Sequence, residues 1–175
     1  MSPKDPTEKH DDAALNGSAE EKVRAWLQLT RNHDGHLKAG DWMAALLPHM
    51  DVHFASAAMP HPSAVFTYVV QANHCNRMGN LHGGAAASLF DFCTTLPLAL
   101  VSRPGFWQFM GVSRSLNVTY LRPALCGEEL LIECRIVQIG RRLTTLHGVM
   151  KRKKDGQLLS MCEHGKVNND PEPSI

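Results

Sequence analysis

Apolar positions recur along this chain in two rhythms, and the change between them divides it. Residues 1–17 hold Pro3, Pro6, Gly17 and many charges with almost nothing apolar to bury, which predicts a disordered tail. Ser18-Ala-Glu-Glu21 then reads as a capping box, and Val23, Trp26, Leu27 and Thr30 follow at helical spacing, predicting a short amphipathic helix to about Leu29. A second short helix is expected over Asp41 to Leu47, ending before Pro48 and His49. From Asp51 the spacing shortens to two. Asp51 to Ala58 and Ser63 to Ala72, rich in β-branched and aromatic residues, read as strands around the turn Met59-Pro-His-Pro62.

Helical spacing returns once. Gly84 to about Val101 is expected to be a helix kinked at Pro97, with Leu89, Phe92, Cys93, Leu96 and Leu100 as its covered stripe. Four strands should follow, near 108–121, 128–139, 142–153 and 157–167, the last two joined through Lys154-Asp-Gly156. The order β-β-α-β-β-β-β is an α+β class: one helix inserted in an antiparallel meander, its apolar stripe needing a sheet curved around it. Residues 18–49 form an N-terminal helical extension, 50–168 a single domain, and 169–175 a loose tail.

Eighteen Lys plus Arg against seventeen Asp plus Glu leave a net charge of +1, which offers no nucleic-acid footprint and favours small-molecule or protein partners. Five scattered cysteines without a Cys-x-x-Cys pair read as reduced thiols of an intracellular, most simply cytoplasmic, protein. Mitochondrion and peroxisome stay open as compartments, although the acidic leader argues against a mitochondrial transit peptide. His33 and His36 lie in a loop with nothing to complete a metal set, so no metal is expected. No hydrophobic run reaches transmembrane length.

Chemistry concentrates in NRMGNLHGGAAASLFD, residues 76–91. Asp91 has Gly84, Ala87, Ser88 and Thr94 as helical neighbours, a small and partly polar face that suits either a ligand or plain hydration. Gly83 and Gly84 stand where the helix starts, so their N–H groups lack intrahelical acceptors and lie at the positive end of its dipole. Such donors can stabilise an oxyanion while an acid two turns on activates the attacking group; a tight turn would also explain two glycines. Alternation puts Val112, Leu116, Val118 and Tyr120 on one face of their strand. Ser113, Ser115, Asn117 and Thr119 take the other, either a wet pocket wall or a solvent face. Lys151 to Lys154, with Arg141 and Arg142, can be phosphate contacts or solvated hairpin ends.

Asn76, His82-Gly83-Gly84, Asp91, Gly111-Val-Ser113, Leu116-Asn-Val-Thr-Tyr120 and Arg122-Pro-Ala, in this order, resemble the hotdog-fold thioesterase superfamily, in particular its PaaI-like, acyl-CoA thioesterase 13-like branch. The resemblance covers about residues 50–167. It implies a hotdog fold, in which a curved antiparallel β-sheet wraps a central α-helix, and hydrolysis of acyl-CoA without metal or organic cofactor. It also implies homodimers with shared active sites, commonly paired into homotetramers. Asp91 would then be the general base or nucleophile, the Gly83 N–H the carbonyl donor, and His82 its positioning partner. Asn76 and Ser113 would hold the attacking water or reacting group. Gly84, Ser88, Thr94, Arg141 and Lys151 are the candidate substrate contacts. A non-catalytic acyl-CoA-binding module and a hotdog dehydratase or hydratase are the alternatives; the usual dehydratase signatures are absent around this helix.

Overall fold

The computed structural model describes residues 16–31 and 42–171. Residues 1–15 of the tail expected over 1–17, the His33 and His36 loop, Asp41 and residues 172–175 of the C-terminal tail fall outside the described residues. The first helix, α1 (Ala19–Arg31), starts at the capping box: Ser18 N–H donates to Glu21 Oε2 at 2.7 Å, and Glu21 N–H to Ser18 Oγ at 3.4 Å. The short helix expected over 41–47 is instead a run of turns closed by a 3-10 turn at Leu47–His49, which takes in Pro48 and His49. Proline suits that place because it opens the turn, where its missing N–H has no partner to lose.

Six strands follow, all antiparallel: β1 (Met50–Ser56), β2 (Ser63–Val69), β3 (Val112–Tyr120), β4 (Glu129–Ile139), β5 (Leu143–Arg152) and β6 (Leu158–Val167). Their order across the sheet is β1-β2-β4-β5-β6-β3, so the meander expected from the sequence is broken at β3, which pairs with neither β2 nor β4. The central helix α2 (Gly83–Thr95), inserted between β2 and β3, carries the chain across the sheet, and β3 pairs with β6 at the far edge. Ala64, Phe66 and Tyr68 of β2, Leu130 and Ile132 of β4, and Met150 of β5 alternate inward and enclose α2.

The buried arc of α2 is Ala86, Leu89, Phe90, Cys93 and Thr94. Phe92, expected beneath the sheet, is only half-buried, because Phe90 and Thr94 face β5 where it carries no side chain. A Cβ on Gly148 would stand 2.9 Å from both Phe90 Cδ1 and Thr94 Cγ2, so this glycine sets how closely helix and sheet approach. At Pro97 the α-helix does not merely kink; it ends, and the chain continues as a 3-10 turn over Leu96–Leu100. By length and composition the stretch Gly83–Leu100 is apolar enough to cross a membrane, yet the sheet encloses it.

The N-terminal extension joins the core rather than standing beside it. Val23 and Leu27 of α1, with Leu46 and Leu47, are buried in the same cluster as Phe66 and Leu89. Arg24 pairs with Asp51 at 2.6 Å, and the Arg31 guanidinium donates to the carbonyls of Leu47 and Met50. The loose tail expected from residue 169 is tied down at its start: the Asp170 carboxylate accepts from the N–H groups of Gln108 (2.9 Å) and Phe109 (3.1 Å).

Candidate active site

Two elements that are distant in sequence build the acid's surroundings. Asp91 projects from α2 with its side chain 47% exposed, and its Oδ1 accepts the Ser113 hydroxyl of β3 at 2.6 Å. Alternation alone had put Ser113 on the face opposite Leu116, Val118 and Tyr120. A register shift between Ser113 and Ser115, with Arg114 as the extra residue, reverses that. A bulge adds one residue to one strand, so Ser113 faces inward together with Leu116 while Ser115, Asn117 and Thr119 point out.

His164 of β6, which no sequence motif singles out, closes the cluster from below. It is fully buried; its Nε2 lies 3.0 Å from Ser113 Oγ and 3.3 Å from Asp91 Oδ1. Its Nδ1 lies 2.7 Å from Thr94 Oγ1. Burial, helped by the nearby Lys166 ammonium and opposed by Asp91, lowers its pKa to about 4, so the imidazole is neutral at pH 7. Lys166 stands opposite Ser113 in the β3–β6 register and is 5% exposed. Burial lowers its pKa while Asp91 acts to raise it. The sequence signal for either residue was the polar character of Ser160, His164 and Lys166 at alternate, inward positions of β6.

Thr94 was expected on the open face beside Asp91 and is instead wholly buried. Its hydroxyl donates to Phe90 O at 2.6 Å and meets His164, so it reaches Asp91 only through that imidazole. Ser88 does share a cavity with Asp91.

The loop before α2 shapes the second half of the site. Asn76 Oδ1 accepts from the N–H groups of Met78 (2.9 Å) and Asn80 (3.3 Å), which ties the turn. His82 is the N-cap of α2: its Nδ1 accepts the Gly84 N–H at 3.0 Å. Gly84, expected to offer a free donor, therefore does not. Gly83 does, since among the described residues its N–H makes no hydrogen bond, while its carbonyl accepts the Tyr120 hydroxyl at 2.8 Å. Tyr120 thus pins the loop-to-helix junction.

Asn76, Gly83 and Tyr120 line one cavity of about 360 Å³, and Asp91 lines another. Gly83 and Asp91 stand eight residues apart on one helix, about 12 Å along its axis. One chain therefore does not gather all five candidate groups in a single cavity. Lys151 projects from the sheet face away from α2 and pairs with Glu133 at 2.7 Å; Arg141 sits exposed in the β4–β5 turn, its carbonyl accepting from Asn168 Nδ2 at 3.1 Å. Neither joins Asp91 within the chain. No group of three or more His, Cys, Asp or Glu side chains that could hold a metal occurs among the described residues.

The model of one protein family, described as the thioesterase superfamily, matches residues 78–159. Acyl-coenzyme A thioesterase 13 of Mus musculus is 35% identical over 97 residues, which is 55% of this chain and 66%, just under two thirds, of that relative. The crystal structure of zebra fish thioesterase superfamily member 2 superposes with a TM-score of 0.67 at 29% identity, covering 83% of this chain and 96% of that one. Thioesterase superfamily member 2 from Mus musculus gives 0.68 at 26% identity, with 86% and 97% covered.

Proposed function

Because the chain belongs to the thioesterase superfamily, with the hotdog fold of its PaaI-like branch, we propose that it hydrolyses an acyl-CoA thioester to the free acid and CoA. The observation that carries this reading is the Asp91 carboxylate. It stands half exposed at a cavity, held by the Ser113 hydroxyl and backed by a buried, neutral His164. A thioester carbonyl is already electrophilic and a thiolate leaves readily, so one carboxylate and one oxyanion donor suffice. Asp91 takes a proton from water as its oxygen attacks the carbonyl carbon. The Gly83 N–H receives the developing oxyanion, and on collapse the CoA thiolate leaves with the proton returned by Asp91. Direct attack by the carboxylate, followed by hydrolysis of the anhydride, uses the same groups.

The separate cavities at Gly83 and at Asp91 support a site shared by two chains of a homodimer, each supplying the half the other lacks. Five free cysteines support an intracellular setting. The experiment is a thiol-release assay over several acyl-CoAs with wild type and Asp91→Asn. The variant should keep its fold and lose about 10²-fold or more in kcat, the scale of a positioned base. Near-normal turnover in it removes Asp91 from the mechanism, while tight acyl-CoA binding by the wild type with no thiol release identifies a binding module instead.

A further inference from the structure

The cavity beside Asp91, about 290 Å³, has a mostly apolar lining, and among the described residues Asp91 is the one charged group in it. Phe92 comes from α2 and Leu116 from β3, but Trp42 and Met43 come from the N-terminal extension. Trp42 is fastened through its indole nitrogen. Its indole N–H donates to Ser88 Oγ at 2.7 Å, and that hydroxyl donates to Gly84 O at 2.9 Å. Ser88 lies one helical turn before Asp91, so the bond sets the indole against the face that carries the carboxylate.

Trp42 is 78% exposed, whereas Trp107 is wholly buried. A tryptophan held at its polar end and left open along its apolar body presents that body to whatever fills the cavity. Resting on the thioesterase reading above, we infer that this cavity takes the acyl group and that Trp42 is a specificity-determining wall limiting an uncharged, apolar chain. Among the described residues no cation lines the cavity, and the Lys166 ammonium lies buried beneath Asp91, so an acyl group ending in a carboxylate would meet Asp91 with no counter-charge of its own. The extension then has two roles: Val23 and Leu27 complete the core, and Trp42 shapes the pocket.

The test is kcat/KM over a straight-chain acyl-CoA series from short to long, with wild type, Trp42→Ala and Trp42→Phe. In Trp42→Ala the preferred chain should lengthen, the longer substrates gaining about fourfold per methylene newly buried. Equal loss at every chain length overturns the inference, because it marks Trp42 as support for the fold. A non-hydrolysable acyl-CoA thioether separates this result from the fate of the hydrolysis reading. Its binding should shift tryptophan emission to the blue in wild type, more for longer chains, and not in Trp42→Phe. That shift without thiol release would leave the pocket standing and remove the hydrolase. A thioether that does not bind, or binds without a change due to Trp42, overturns the inference whatever the turnover.

Discussion

Ser113 Oγ donates to Asp91 Oδ1 at 2.6 Å across 22 residues of sequence, and a single bulge in β3 makes the contact possible. Without the extra residue at position 114, alternation would turn the hydroxyl to the outside of the sheet. The acid of α2 is thus oriented by an irregularity in a strand.

Ser113→Ala removes that donor while leaving the bulge and the carboxylate. A hydrogen bond to a charged group contributes about 1.5–3 kcal/mol, so kcat/KM for thioester hydrolysis should fall by about 10- to 100-fold with an unchanged circular dichroism spectrum. Activity within twofold of wild type would mean that Asp91 is oriented by His164 alone.

His164 carries a pH signature. Its folded pKa of about 4 lies below the ordinary 6.5 of histidine, so between those values the unfolded chain binds more protons. Stability from this group is complete above about pH 6.5 and is lost as the pH falls towards 4. The thermal midpoint should therefore drop on acidification, and drop less in His164→Gln. His74, lowered by burial and by the charge of His49, and His147, lowered by burial and by Arg135, remain in the variant and keep part of the slope. Equal slopes in the two proteins would contradict the buried, neutral imidazole.

Gly148→Ala tests the contact between α2 and the sheet. The added methyl would meet Phe90 and Thr94 at 2.9 Å and Cys162 Sγ at 3.0 Å, all three buried. Overpacking of this kind costs about 1–3 kcal/mol, measured as a lower denaturation midpoint with an unchanged urea slope. Because Thr94 holds His164, activity should fall as well. A variant as stable as wild type would show that the helix can shift outward freely.

Shared sites predict complementation. Asn76→Ala and Asp91→Ala homodimers should each be nearly inactive. In a mixed dimer both mutations collect in one site and the other is intact. Random co-assembly makes about half of the dimers mixed, so activity should return to roughly a quarter of wild type. Two affinity tags isolate the mixed species. Its inactivity would place Asn76 and Asp91 in one site within one chain.

Local patterning carried most of the fold. The switch of apolar spacing located α1, α2 and all six strands, because a strand with one buried face must alternate and a helix under a sheet must keep a stripe. The capping box at Ser18 and the free Gly83 N–H followed from rules that operate within a few residues. Contacts between distant segments settled the rest. The stripe on α2 is turned towards Phe90 and Thr94 because Gly148, 58 residues after Phe90, leaves room there. Ser113 faces Asp91 because pairing with β6 absorbs one extra residue in β3, and a bulge of that kind leaves no mark on hydrophobic alternation. His164 and Lys166 look like ordinary polar residues near the end of the chain until β6 docks beside β3 and desolvates them beneath the carboxylate. Sequence by itself determined the elements and the candidate residues of the site, since residue type and local spacing are written in it; only the tertiary structure decided which of them meet and which further groups lie beneath them, since that depends on register and packing across the sheet.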